Sequence, residues 1–201
     1  EQGISAGGTS LPILGAEDAS LDTRRQTECV MIPAGYDEEL ERRGADSAKG
    51  DFKRKTACIS SQVGCPVGCK FCASGIGGLD GNLSTGRIVE QVWRLARLMD
   101  EPGKPGTGRI TNVVFMGMGE PLSNFKNVVQ AVRTLAAPWG MGISARKLTI
   151  STVGLPQAIE RLAEELDLPV TLALSLHAPN DALRRTLIPW AEYTTIPELL
   201  A

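Results

Sequence analysis

Beyond residue 55, short β-rich runs alternate with amphipathic helical stretches, and this rhythm constrains the fold more than any other feature of the chain. TACISS, ITNVVFMG, KLTIST and VTLALSLHA have strand length and strand composition. Each runs into a helical pattern. From about Ser84 to Met99 the spacing puts Ile88, Val92, Leu95 and Met99 on one face. After GMGEP, Val128, Val129, Val132 and Leu135 turn inward, with Asn124 a candidate cap. The third helix opens on Pro156, where a missing donor costs nothing, and repeats its apolar face at Ile159, Leu162, Ala163 and Leu166. NDALRRTLIP follows the fourth strand. Four such units call for an α/β fold, a parallel sheet covered by crossover helices.

In parallel sheets and barrels a ligand sits at the carboxyl ends of the strands. Here those ends carry a cysteine-rich loop, Gly117 to Glu120, Ser151 with Thr152, and Ser175 with His177. Each has a bland reading alone: a glycine turn for tight packing, a strand-end serine as a helix cap, a lone histidine as a structural residue. Their recurrence unit after unit points to one functional rim.

The cysteine loop is CPVGCKFC, with thiols at Cys65, Cys69 and Cys72. So spaced, three thiols hold three corners of a cubic iron-sulfur cluster and leave the fourth iron open to a small molecule, which is redox chemistry on a bound cofactor. The same spacing also falls on one helical face, but Gly64, Pro66 and Gly68 read as a loop. Structural zinc is the stronger rival. It asks for four closed ligands, whereas only Cys69 and Cys72 form a CxxC pair and His177 is the one histidine in the chain.

A chain of 201 residues, 42% of them hydrophobic, can bury one sizeable core. Five cysteines, an odd number with three on one short loop, suit a reducing compartment and a cytoplasmic home better than a disulfide framework. No segment has the signature of secretion or membrane insertion, and a net charge of -2 does not advertise a nucleic-acid binder. Residues 1–21 are Gly-, Ser- and Ala-rich and read as a flexible N-terminal leader. Residues 22–57 hold a short strand in ECVMIP and a charged insertion, and residues 58–201 hold the core. Lys49, Lys53, Arg54 and Lys55, just before the cysteine loop, are a secondary candidate for meeting phosphates.

CISSQVGCPVGCKFCASG, ITNVVFMGMGEPLSN, RKLTISTVG and LALSLHAPND, in this order, resemble the radical S-adenosylmethionine RNA methyltransferases of the RlmN and Cfr type. The resemblance covers about residues 22 to 201 and implies a partial (β/α) radical barrel with parallel strands. It further implies that Cys65, Cys69 and Cys72 ligate a [4Fe-4S] cluster whose open iron takes the methionine part of S-adenosylmethionine. Gly119 and Glu120 would hold the amino end of that cofactor, and Ser151, Ser175, Leu176 and His177 would line the rest of it. Cys58 matches a cysteine implied to help resolve a covalent RNA-protein intermediate, and Glu28 matches the proposed proton acceptor. Without the resemblance, Cys58 reads as a buried strand thiol and Glu28 as a surface acid. Cys29 matches nothing and is read as structural.

The implied reaction methylates adenosine carbon 2 in 23S ribosomal RNA, with transfer RNA an additional candidate and a reductase such as flavodoxin as electron donor. Its rivals are carbon 8 methylation, a different radical enzyme such as a protein activase, and a zinc-binding module. The chain departs from the pattern in its extra sequence between Pro33 and Lys55, in Gly81 where arginine is usual, and in Trp190 where asparagine is usual. It ends at Ala201, after about four units and before the family's methyl-carrying cysteine. The expectation is a fragment of a longer protein, able to assemble the cluster and bind its cofactor but not to methylate RNA alone.

Overall fold

In the computed structural model, which describes residues 8–12, 26–32 and 54–200, the strands are β1 (Gly8–Pro12), β2 (Gln26–Ile32), β3 (Thr56–Cys58), β4 (Gln62–Gly64), β5 (Leu79–Asn82), β6 (Asn112–Phe115), β7 (Leu148–Thr152) and β8 (Thr171–Leu174). The helices are α1 (Thr85–Arg97), α2 (Phe125–Ala136), α3 (Pro156–Glu165), α4 (Asp181–Leu187) and α5 (Ile196–Leu200). One sheet runs β1-β2-β3-β6-β7-β8, and β4 with β5 makes a separate two-stranded ribbon. In the large sheet β3, β6, β7 and β8 pair parallel, as the alternation of strand and helix requires.

The helices cover one face of this sheet. Ser84 caps α1 by accepting from the Arg87 amide, and the helix buries Ile88, Val92 and Leu95 against the sheet, each removal from water contributing about 1.5–3 kcal/mol. Val128, Val129, Val132 and Leu135 of α2 are buried in the same core, as their spacing predicts. Pro156 does open α3, but the expected apolar face is narrower than its pattern: Leu162 and Leu166 are buried while Ala163 is exposed. This helix leads to the edge strand β8, whose Thr171 and Leu172 are themselves exposed, so there is less sheet for it to cover.

Two elements differ from expectation. β2 is longer than ECVMIP suggested and joins the sheet antiparallel to β3, with Val30 opposite Cys58. Gly8–Pro12, expected within a flexible leader, is instead a strand paired antiparallel to β2, and its proline sits at the outer edge where a missing donor is tolerated. The rest of that leader, most of the charged insertion, Lys49 and Lys53 lie outside the described residues. Arg54 and Lys55 precede β3, so they stand at the amino ends of the parallel strands, opposite to the rim where the cysteine loop emerges.

The β4–β5 ribbon positions that loop. Residues 65–78 connect its two strands, and the Cys65 amide donates to the Gly78 carbonyl at 3.0 Å to close the neck. Gly64 is obligatory there: its φ is 73°, and a Cβ would fall 2.0 Å from the Gly78 oxygen.

Candidate functional site

The carboxyl rim gathers what the sequence placed at separate strand ends. Contacts between loops make the gathering explicit. Ser61 and Gly117 amides donate to the Met118 and Ile59 carbonyls at 2.9 and 3.0 Å, joining the β3 and β6 ends. The Glu120 carboxylate accepts from the Val153 amide at 2.9 Å, joining β6 to β7. Ser175 donates its amide to Thr152 at 2.8 Å, joining β7 to β8. His177, just past β8, packs its ring against that of Phe71 of the cysteine loop, centroids 4.7 Å apart and planes tilted by 57°, which closes the set.

None of the five cysteines is in a disulfide. Cys65 is buried, while Cys69 and Cys72 are half-buried beside a cleft of about 440 Å³ that Phe71 and Ile76 also line. The thiols feel one another. Burial pushes Cys69 up to about 11, with the charges of Cys65 and Cys72 adding to it, and burial likewise raises Cys65. Three soft thiol donors on one short loop, two of them lining an open cleft, are a donor set that fits a [4Fe-4S] cluster. Among the described residues no three of His, Cys, Asp and Glu stand together as ligands for a single metal ion.

Glu120 is 3% exposed. Its Oε1 accepts from the Leu122 amide at 3.0 Å and its Oε2 from Val153, so the carboxylate caps one turn and staples another. Desolvation raises its pKa, and the two backbone amides with Thr152 work against that rise. A buried carboxylate held in this way is a candidate acceptor for an amine. Gly119 beside it has φ 99°, and a Cβ would meet Gln62 Cβ at 2.6 Å. Ser151 donates its hydroxyl to the Phe115 carbonyl at 2.6 Å from the sheet face away from the helices. Leu176 and His177 are exposed at the rim, Ser175 is half-buried, and His177 adopts φ 57°, a left-handed conformation rare outside glycine.

Glu28 and Cys58 lie on that same open face. Glu28 is exposed and Cys58 half-buried, and desolvation raises the Cys58 thiol. Cys29 faces the other way, into the helix-covered core, which agrees with a structural reading.

Several supporting residues have roles that the sequence reading missed. Asn124 stands at the N-cap position of α2 as expected, but its side chain makes no capping hydrogen bond: its amide donates instead to the Ser61 and Leu83 carbonyls, both at 2.8 Å, and so ties the ribbon to α2. Gln62, fully buried, accepts from the Glu120 amide at 2.8 Å and donates to Asn82 at 2.7 Å. Gln91 pairs both ways with the Ser60 backbone, at 2.8 and 2.9 Å. Its one detectable signal was a polar residue within the apolar stripe of α1. Trp190, a departure from the expected pattern, packs against the small buried cluster that contains Cys65.

An open α/β half-barrel with a three-thiol loop and a buried carboxylate on its carboxyl rim defines a cofactor-dependent radical enzyme fold. Residues 59–195 match the radical SAM superfamily, and the chain belongs to it. Its members generally use S-adenosylmethionine and a [4Fe-4S] cluster.

The chain is 56% identical over 149 residues to the probable dual-specificity RNA methyltransferase RlmN of Corynebacterium diphtheriae, covering 73% of this chain and 39% of that protein. A second protein of that name, from Rhodococcus erythropolis, is 57% identical over 150 residues, covering 73% and 40%. Among solved structures, a radical SAM methyltransferase from Sphaerobacter thermophilus superposes with a TM-score of 0.73 at 38% identity, covering 96% of this chain and 52% of that one. The chain thus spans about two-fifths of the length of the curated relatives it matches. Among the described residues no helix is long and apolar enough to cross a membrane.

Proposed function

We propose that the protein serves a radical S-adenosylmethionine RNA methyltransferase that methylates adenosine carbon 2 of 23S ribosomal RNA, accepts transfer RNA as a second substrate, and draws electrons from a reductase such as flavodoxin. The observation that carries this reading is the meeting of the three-thiol loop with Glu120 and His177 on one rim, in a chain 56% identical over 149 residues to an RlmN-named protein. Cys65, Cys69 and Cys72 hold the cluster. Gly119 and Glu120 receive the amino end of S-adenosylmethionine, while Ser151, Ser175, Leu176 and His177 line its remaining length. The bound pair supplies one-electron cleavage of a carbon-sulfur bond. The residues around it orient the cofactor and exclude water, which keeps a reactive carbon centre from stray hydrogen donors. On the open sheet face Cys58 acts on the RNA-bound intermediate, and Glu28 takes up the proton released when it resolves.

Anaerobic reconstitution, followed by iron counting, S-adenosylmethionine binding, and mass mapping of RNA modified by the whole gene product, tests each layer. On the order of four irons per chain and 2-methyladenosine are expected. Methylation at carbon 8 would overturn the regiochemistry, and protein that takes up no iron would overturn the reading itself.

A further inference from the structure

α4 buries a charge that nothing in NDALRRTLIP announces. Arg184 is 1% exposed; Nη2 donates to the Val153 carbonyl, Nη1 to the Thr194 carbonyl at 3.5 Å, and Nε has no hydrogen-bond partner. A guanidinium so buried and incompletely satisfied is costly compared with an apolar side chain. What it touches accounts for its presence. Val153 is gripped from both sides, its amide by Glu120 and its carbonyl by Arg184, so two buried opposite charges share one residue. At the other end of α4 the Leu187 carbonyl accepts from the Lys70 amide at 2.9 Å, between Cys69 and Phe71 of the loop. Ile188 and Cys65 share one small buried cluster with Val153, and Leu187, Trp190 and Cys69 pack against it. A continuous brace therefore runs from Glu120 through Val153, Arg184 and α4 into the cysteine loop. The guanidinium is also close enough to Cys69 to interact with its charge, and Asp181 is the acid nearest it on the helix, with Oδ1 already accepting from the Ile196 amide at 2.8 Å.

We propose that Arg184 is a positioning residue for the cysteine loop: it locks α4 to the end of β7, so that Cys69 is held at a fixed place relative to Glu120, and it sets a permanent positive charge beside the thiolates. The anchoring half stands on the apo geometry. The charge half rests on the cluster reading proposed above.

The test compares the wild type with Arg184→Met, which keeps bulk but loses charge and donors, and Arg184→Lys, which keeps charge but loses the fork. In the metal-free protein, iodoacetamide should alkylate Cys69 about tenfold faster in Arg184→Lys, which keeps the charge and so leaves the thiolate fraction in place, while Cys29 stays protected as the control for folding. In the reconstituted protein the cluster's midpoint potential should fall in Arg184→Met and return toward wild type in Arg184→Lys, a rescue that a merely space-filling role would not give. An unchanged Cys69 rate together with an unchanged potential overturns the proposal. Should Arg184→Met expose Cys29 and so prove unfolded, Arg184→Lys decides alone: faster Cys69 alkylation at a retained potential supports the brace, and a wild-type rate refutes it. Failure of the wild type to take up iron would sink the cluster reading, while the alkylation comparison would still judge the anchor.

Discussion

Glu28 and Cys58 share one face of the sheet: Val30 stands opposite Cys58 across the β2–β3 ladder, and Glu28, two residues along the same strand, points to the same side. Ser60 fixes the approach by donating its hydroxyl to the Glu28 carbonyl at 2.6 Å. Because Glu28 is exposed and its side chain supports no packing, Glu28→Gln should change folding stability by no more than about 0.5 kcal/mol. RNA methylation by the whole gene product should nonetheless slow by about 100-fold or more. Thermal melting and product formation measured side by side check the separation; equal losses in both would make Glu28 structural.

If Cys58 acts in resolution, Cys58→Ala should load iron normally and accumulate RNA covalently attached to protein. A denaturing gel with labelled RNA reads this directly. Absence of the adduct, with turnover intact, would return Cys58 to an ordinary strand thiol.

Glu120 gives the ligand-free protein a pH dependence. Its folded pKa is raised by desolvation above an ordinary value of 4.5, so its contribution to stability is fully present below that value and is lost as pH climbs through the raised one. Melting temperature should therefore decline across that interval, and Glu120→Gln should flatten the decline. Bound S-adenosylmethionine should flatten it too, because an amine beside the carboxylate favours the charged form. A variant with the wild-type slope would show that the decline has another origin.

Gly119 sits where φ is 99° and a side chain would collide with Gln62 and Ser61. Gly119→Ala should destabilise the fold by about 1–3 kcal/mol in denaturant titration, since the alanine is strained and the neighbouring loop must shift. A neutral result would mean that the loop moves freely, and the rim would then be less rigid than its hydrogen bonds suggest.

The sequence revealed the helix-covered half of this molecule because Ile88, Val92 and Leu95, or Val128, Val132 and Leu135, repeat with the helical period and have one place to go. The rim was legible in outline for a similar reason, since strand ends in parallel sheets are where ligands collect. What stayed hidden were interactions between residues distant in sequence. The ribbon flanking the cysteine loop consists of a three- and a four-residue strand, too short for any periodicity to register. Asn124 and Gln62 serve carbonyls and amides far from their own helix or strand, and Arg184 lies in a stretch whose polarity suggests solvent. Gly8–Pro12 is held in the sheet by pairing with β2 rather than by its own composition.

Burial and mutual repulsion push Cys69 up to about 11, so in metal-free protein at neutral pH little of it is thiolate. Its alkylation should rise roughly tenfold per pH unit until that value is approached, following the thiolate fraction. A plateau near pH 8 would place the thiol in a more polar setting than the loop shows.

The central claim is that Cys65, Cys69 and Cys72 together hold one iron-sulfur cluster on the carboxyl rim. Iron and sulfide should be counted after anaerobic reconstitution of the wild type and of each single Cys→Ser variant, with Cys29→Ser as the comparison. The account predicts on the order of four irons in the wild type and in Cys29→Ser, and a large loss in each of the other three. Undiminished iron in any one of those three would contradict it.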